Sequence, residues 1–345
     1  MYDGVNLILG KGSFGVITRT NNENVCRKIF TKDKSLSLIR EAYMIKKLSH
    51  INGITEMITL DHPTDTDILI VQSVRSEQIS DVNKRKSGPK MIRPKVWGVI
   101  VMKQYHITLR QWLHSNPDFE ARLNVLIEII SILSEVHDAG IVHADIKLEN
   151  IMLTIDGHVK IIDWGLSGPC GYALIHNTTK AYRPKKTAQD FCHDIYSLGV
   201  LSIELILGSL IVNRLDYHSC ITMLLSTKLD DKLKDLLSRM IHPDCKIRPT
   251  IKEIVRFFNS YKSRTEFTDK LLELEVEEEF TITIPPQYGI ETMKYPKIFS
   301  DFILEHPETL TTINCIIGAI YSSTDPNYLI SIIDYDHVIE FINSI

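Results

Sequence analysis

The chain has 345 residues, enough for one large two-lobed domain or two to three small ones. Its 44% hydrophobic and 24% charged composition is that of an ordinary globular protein, and a net charge of −4 gives no bulk sign of nucleic-acid binding. The six cysteines (26, 170, 192, 220, 245 and 315) are scattered. That pattern argues against a zinc site or a disulfide framework and predicts a reducing, intracellular location, cytoplasmic or nuclear. The N-terminus does not read as a signal peptide. The most apolar run, 196–212, is interrupted by Glu204 and is shorter than the roughly 20 residues a spanning helix needs, so a buried core helix is expected rather than a membrane segment.

In chain order, residues 5–17 place Gly10, Gly12 and Gly15 between apolar positions. Such spacing lets a strand–turn–strand lie close to phosphates with backbone N–H groups as donors. Val16 and Ile17 continue as strand, which separates this pattern from the dinucleotide-binding turn that opens a helix. A strand over 25–30 carries one central cation, Lys28, placed to reach the α- and β-phosphates of a nucleotide. A helix over 35–48 buries Leu38, Ala42, Ile45 and Leu48 near one face and holds Glu41 as the partner for that lysine. A strand is expected over 68–71, followed by a basic stretch, 84–95, with six basic residues in twelve. The stretch reads first as a solvated insertion, and second as a weak candidate contact for an acidic partner or nucleic acid. Another strand is expected over 96–101, and a long amphipathic helix over 119–139 ends at Gly140.

Residues 141–165 carry the densest chemistry. Asp145 precedes Asn150 by five residues, and Asp163 follows a short apolar strand and precedes a glycine. Two loops joined through a hairpin therefore present two carboxylates and an amide. Phosphoryl transfer needs such a set: one carboxylate to orient a hydroxyl, an amide and a carboxylate to hold magnesium.

The glycine loop, Lys28, Glu41, the run His143-Ala144-Asp145-Ile146-Lys147-Leu148-Glu149-Asn150 and Asp163-Trp164-Gly165 stand in the order of a eukaryotic-type protein kinase, which residues 5–262 resemble. The resemblance implies an α+β, two-lobed kinase fold: a β-rich N-lobe (1–102), a helical C-lobe (103–262) and a nucleotide cleft between them. It implies a serine/threonine kinase that transfers the γ-phosphate of MgATP to a protein hydroxyl, with Asp145 and Lys147 catalytic and Asn150 and Asp163 as magnesium ligands. Leu9, Gly10, Gly12, Gly15, Val16, Lys28, Glu41, Met102 and Tyr105 would contact or support the nucleotide, Met102 at the back of the adenine pocket and Lys103 to Tyr105 as the hinge. Asp194 would fix the catalytic loop from a central helix spanning 190–208.

Three positions depart from the family pattern. Ala144 replaces an arginine that usually receives a phosphate from the activation loop, so activity is expected to be constitutive or controlled otherwise. Trp164 replaces a common phenylalanine. Lys186 stands where a glutamate usually pairs with the arginine at 248, which puts peptide docking in doubt. These departures keep alive a pseudokinase acting as a nucleotide- or partner-binding scaffold, and a small-molecule kinase of the same fold. After 262 the resemblance stops. An acidic stretch, 266–279, precedes a strand over 280–284, and 290–345 is expected to form short helices in a mainly helical C-terminal extension (263–345).

Overall fold

The computed structural model describes residues 8–11, 15–82, 96–173, 182–184, 190–208, 217–273, 279–283 and 292–296. The chain divides into two compact units, Met1–Phe257 and Phe258–Ile345.

The first unit is α+β and two-lobed. Its N-lobe is a five-stranded antiparallel sheet in the order β1-β2-β3-β5-β4. The strands are β1 (Ile8–Lys11), β2 (Val16–Arg19), β3 (Val25–Thr31), β4 (Met57–Asp61) and β5 (Val96–Lys103). Period-two alternation splits β3 between two faces. Cys26 and Phe30 point to one face, where they pack with Ile100, Met102, Leu38 and Ala42 of helix α1 (Ser35–Lys47). Ile29 points to the other, with Val16, Val99 and Val101.

That second face is covered by an element the sequence did not suggest. Residues expected as a strand over 68–71 belong to helix α2 (Asp65–Val82), which lays Ile70, Val71 and Val74 on the sheet. A four-residue apolar run does not distinguish strand from helix by itself; the i, i+1, i+4 spacing of these three residues does. Thr64 starts the helix reciprocally, its hydroxyl accepting from the Asp67 amide (3.2 Å) while Asp67 accepts from the Thr64 amide (2.7 Å). Arg27 fastens it to the sheet, reaching Asp61 of β4 at 2.8 Å and Asp67 of α2 at 2.9 Å. The basic stretch 84–95 lies outside the described residues.

The C-lobe begins at β6 (Ile107–Thr108) and α3 (Leu109–His114), which opens with a capping box between Thr108 and Gln111. Helix α4 (Phe119–Asp138) starts at the Asp118 cap. It stops at Gly140, whose φ of 77° suits a residue without Cβ. Short strands β7 (Ile141–Val142), β8 (Ile151–Leu153) and β9 (Val159–Ile161) frame residues 143–150 and 162–163; β6-β8-β9 form one sheet, and β7 pairs with β10 (Gly168–Pro169). Helix α5 (Phe191–Leu207) is buried along nearly its whole length, as the apolar run predicted, and its internal acid Glu204 accepts a hydrogen bond from Tyr182 at 2.5 Å. Gly199 lets α5 approach Met240 and Ile241; a Cβ there would come within 2.8 Å of both side chains. Helices α6 (Tyr217–Leu225), α7 (Asp231–Met240) and α8 (Ile251–Glu273) complete the described helical part. No helix among the described residues is long and apolar enough to cross a membrane.

In the second unit, β11 (Glu279–Thr283) meets the expectation of a strand near 280–284. It pairs antiparallel with β12 (Thr292–Pro296), where short helices were expected. The β-rich pairing of alternating Thr, Met, Lys and Tyr prevails there over the isoleucine-rich helical reading. The remaining expected helices lie outside the described residues.

The cysteine reading needs a correction. Cys192 and Cys245, 53 residues apart, are joined in a disulfide with Cα atoms 5.8 Å apart. Their separation in sequence hides a proximity that only the packing of α5 against the turn before α8 creates.

Candidate active site

Two clusters of charge face each other beneath the N-lobe sheet. The first is built on β3 and α1. Lys28 shares its face with Cys26 and Ile17. Its Nζ lies 2.7 Å from both carboxylate oxygens of Glu41 and 2.7 Å from Oδ1 of Asp163. Lys28 and Glu41 are buried, and Asp163 keeps a 21% exposed side chain. Burial works against the Lys28 charge, but Asp163 and Glu41 outweigh it and hold the ammonium above the ordinary lysine range. Burial pushes the Glu41 carboxyl up, to about 7, against the pull of Lys28 and with added repulsion from Asp163. Burial opposes the Asp163 charge too; there Lys28 prevails and the carboxyl is held below its usual range.

Asp163 adopts a left-handed backbone (φ 67°), which turns its side chain toward Lys28. The next residues, 164–166, form a tight turn packed beside α1. Trp164 is fully buried, edge-on to the His143 ring (centroids 4.5 Å), with its indole N–H donating to the Ile161 carbonyl.

The second cluster is the loop after β7. Lys147 Nζ lies 2.5 Å from Asp145 Oδ2, and Asn150 Nδ2 donates to the same oxygen and to the Asp145 carbonyl, each at 2.9 Å. The two clusters are tied through the backbone: Ile162 N donates to Asn150 O (2.9 Å), and His143 Nε2 meets Ile162 O (3.1 Å).

Asp194 of α5 fixes this loop from below. Its carboxylate accepts from the His143 and Ala144 amides, both at 2.8 Å, and lies 3.1 Å from His137 Nε2. Burial opposes its charge, but the hydrogen bond from His137 and the surrounding histidines hold it below the ordinary carboxylate range. The grip keeps Ala144 at φ 71°, a conformation costly for a residue with a Cβ. The Ala144 methyl packs with Val142, Leu166 and Ala173, an apolar neighbourhood.

Each expected site residue can now be placed. Lys28, Glu41 and Asp163 come together, as do Asp145, Lys147 and Asn150. Gly15 sits where a Cβ would stand 2.5 Å from the Ile29 carbonyl oxygen, so β2 needs a glycine there. A Cβ at Gly10 would meet the Ile17 side chain at 4.0 Å, an ordinary contact, and Gly12 lies outside the described residues. Leu9 is 37% exposed on β1. Met102 pairs with Cys26 across the sheet and is buried. The Tyr105 hydroxyl accepts from the Glu56 amide (2.9 Å), which leaves only the backbone of Tyr105 for a nucleotide.

Val16 is a correction. It lies on the α2 face of the sheet, away from Lys28; its neighbour Ile17 shares the Lys28 face. A slip of one residue in a strand exchanges faces, and pairing Ile17 with Lys28 is the signal that would have found it. His137 was also missed, because only the packing of α4 against α5 brings it to Asp194, and so was His193, although it precedes Asp194 in the chain. Lys186, Thr178 and Thr179 lie outside the described residues. Arg248, expected to lack its acidic partner, is held instead by the carbonyls of His242 (2.7 Å), Cys192 (2.7 Å) and Pro243 (3.2 Å), and stacks over Tyr196 with its guanidinium 5.0 Å from the ring centroid. Burial drops its guanidinium to about 10.

Comparison with known proteins agrees with this geometry. The chain is 22% identical to a probable serine/threonine-protein kinase of Clostridium perfringens over 286 residues, 77% of this chain and 36% of that protein. It is 28% identical over 212 residues to a probable serine/threonine-protein kinase of Streptomyces coelicolor (58% and 29%), and 28% identical over 165 residues to the Aurora kinase of Schizosaccharomyces pombe (44% and 46%). The chain thus spans less than half the length of these relatives. The family model for the protein kinase domain matches residues 5–257, most of the chain and all of the site described above, and the chain belongs to the protein kinase family.

Proposed function

We propose that the chain is an active serine/threonine protein kinase that transfers the γ-phosphate of MgATP to a protein hydroxyl. The observation that carries this reading is the unbroken charge relay from Glu41 through Lys28 to Asp163, set opposite Asp145, Lys147 and Asn150. The cluster fits a metal–nucleotide. Asp145 and Asp163 set two carboxylates beside Lys147 and Lys28, and with the Asn150 amide they offer the hard oxygen donors that magnesium requires. Magnesium, when bound, would neutralise phosphate charge, held by Asn150 and Asp163.

The residues themselves divide the remaining work. Lys28, kept charged and aimed by Glu41, would grip the α- and β-phosphates. Gly10, Gly12 and Gly15 would offer backbone donors, and Leu9, Ile17, Met102 and the hinge backbone at Tyr105 would enclose the base. Asp145 would orient the substrate hydroxyl and accept its proton; its carboxylate is already steered by Asn150. A loose transition state asks for positioning more than for a strong base, which suits an aspartate. Lys147 would offset charge on the transferred group while holding Asp145 in place.

The pseudokinase reading draws on Ala144, but every charged position that the chemistry uses is retained. Incubation with labelled ATP, magnesium and generic protein substrates tests the proposal. Transfer by the wild type that falls by about 10²-fold or more in Asp145→Asn is expected. Equal transfer by the two proteins, or none from wild type, would sink it, and preferential labelling of small molecules would point to a small-molecule kinase.

A further inference from the structure

Cys192 and Cys245 stand in unlike surroundings, and the difference assigns them unlike chemistry. Cys192 is the second residue of α5, next to the positive end of the helix, and its Sγ lies 3.7 Å from Arg248 Nη1. Both features favour a sulfur anion. Cys245 opens the turn before α8, and its Sγ lies 3.9 Å from Asp190 Oδ1, the carboxylate that caps α5. The same carboxylate lies within 4.8 Å of the Cys192 sulfur as well, so the asymmetry rests on the guanidinium and the helix start beside Cys192. Both cysteines are half-buried rather than fully buried. The guanidinium stays charged through this, because its carbonyl cage of His242, Cys192 and Pro243 is independent of the sulfurs.

We propose that Cys192–Cys245 is a reversible thiol–disulfide site, with Cys192 as the attacking and leaving sulfur and Cys245 as the resolving one. In oxidation by a small-molecule disulfide such as oxidised glutathione, the Cys192 thiolate attacks a glutathione sulfur. A mixed disulfide forms on Cys192, and one glutathione thiolate leaves. Cys245 then loses its proton, attacks the Cys192 sulfur and expels the second glutathione. Two protein thiols are oxidised and one glutathione disulfide is reduced to two thiols. In reduction a glutathione thiolate attacks the Cys245 sulfur and expels the Cys192 thiolate. A second glutathione thiolate attacks the glutathione sulfur of the mixed disulfide on Cys245, releasing that thiol and oxidised glutathione, so two glutathione thiols are oxidised and the protein disulfide is reduced. A stabilised thiolate leaves readily, so the disulfide yields to small thiols while the protein stays folded. The bond ties the start of α5, the helix that holds the catalytic loop through Asp194, to the segment carrying Arg248. The site is therefore a redox-set brace under the catalytic loop, and it stands whether or not the chain phosphorylates proteins.

The full chain is equilibrated without denaturant in glutathione buffers of graded thiol-to-disulfide ratio, acid-quenched, alkylated and analysed by peptide mass. The pair is expected to pass from disulfide to dithiol within the series, with a fall in melting temperature of roughly 5–10 °C. In Cys245→Ser, Cys192 should accumulate bound glutathione at least tenfold faster than Cys245 does in Cys192→Ser. A bond that resists excess glutathione until the protein unfolds would overturn the proposal, as would equal glutathionylation rates in the two variants. A third contrary result is a pair that stays reduced and instead retains one zinc ion per chain through Asp190, Cys192 and Cys245 on dialysis.

Discussion

At the scale of single residues, the site depends on where burial and charge oppose each other. Asp194 and the histidines around it show this best. His143 and His193 are fully buried, and burial lowers both below the ordinary imidazole range. Neither ring nitrogen of His193 reaches a partner in hydrogen-bond geometry among the described residues, although the ring lies close to the Ala144 backbone. A folded-state value below the unfolded one means that stability is present above about pH 6.5 and is lost as pH falls through the lower folded value. Asp194 works in the same direction at lower pH: its contribution is present above about 4 and is lost as pH falls through its depressed value. The melting temperature should therefore decline on acidification from pH 7 in two stages, the histidines first. His193→Leu should flatten the first stage, and an unchanged slope in that variant would assign the decline elsewhere. Glycines separate as sharply. Gly15→Ala should cost about 1–3 kcal/mol in urea unfolding, because its Cβ would press the Ile29 carbonyl. Gly10→Ala, whose Cβ would make only an ordinary 4.0 Å contact with the Ile17 side chain, should leave stability nearly unchanged.

At the scale of elements, the sheet between α1 and α2 sorts its residues by face. Ile70 and Val16 meet across the α2 face; Ile17, Cys26 and Met102 line the other. Ile70→Ala should destabilise the protein by about 2–5 kcal/mol in urea titrations, the range for emptying a buried aliphatic site. If the cleft binds a nucleotide, Ile17→Ala should raise the KM for ATP severalfold, whereas Val16→Ala should lower stability and leave that KM near wild type. The reverse result would return Val16 to the cleft. Most elements were legible in the sequence: β3, α1, α4 and α5 were read within a residue or two, because each has strong periodicity and clear terminal signals such as Gly140 and Asp190. α2 was not, since four consecutive apolar residues fit either period, and what decides for helix is the row Ile70, Val71 and Val74 meeting a sheet already built. The strand β12 was missed for a similar reason: its pairing with β11 is a property of two segments, not of one.

At the scale of the whole molecule, the loop after β7 is held by α5 rather than through a side chain at position 144. The two amides on Asp194 fix its backbone, and the Ala144 methyl fills an apolar niche with Val142, Leu166 and Ala173. A loop built this way has no cation at 144 to receive a phosphate. If the chain transfers phosphate as proposed, phosphatase treatment, or Thr178→Ala with Thr179→Ala, should change that transfer less than about twofold; a large loss would mean that another cation reads a phosphate there.

The sequence alone determined the family: the glycine loop, Lys28, Glu41, Asp145, Asn150 and Asp163 stand in the order of a protein kinase domain, because each motif is a short local pattern that spacing preserves. It could not determine which residues share a face or a contact when they lie far apart in the chain. The tertiary structure alone decided that Ile17 and not Val16 joins Lys28, that α2 covers the sheet, that His137 reaches Asp194, and that Cys192 meets Cys245. The physical reason is the same throughout: local spacing encodes periodicity and motif, whereas long-range proximity arises only when whole elements pack to bury their apolar faces.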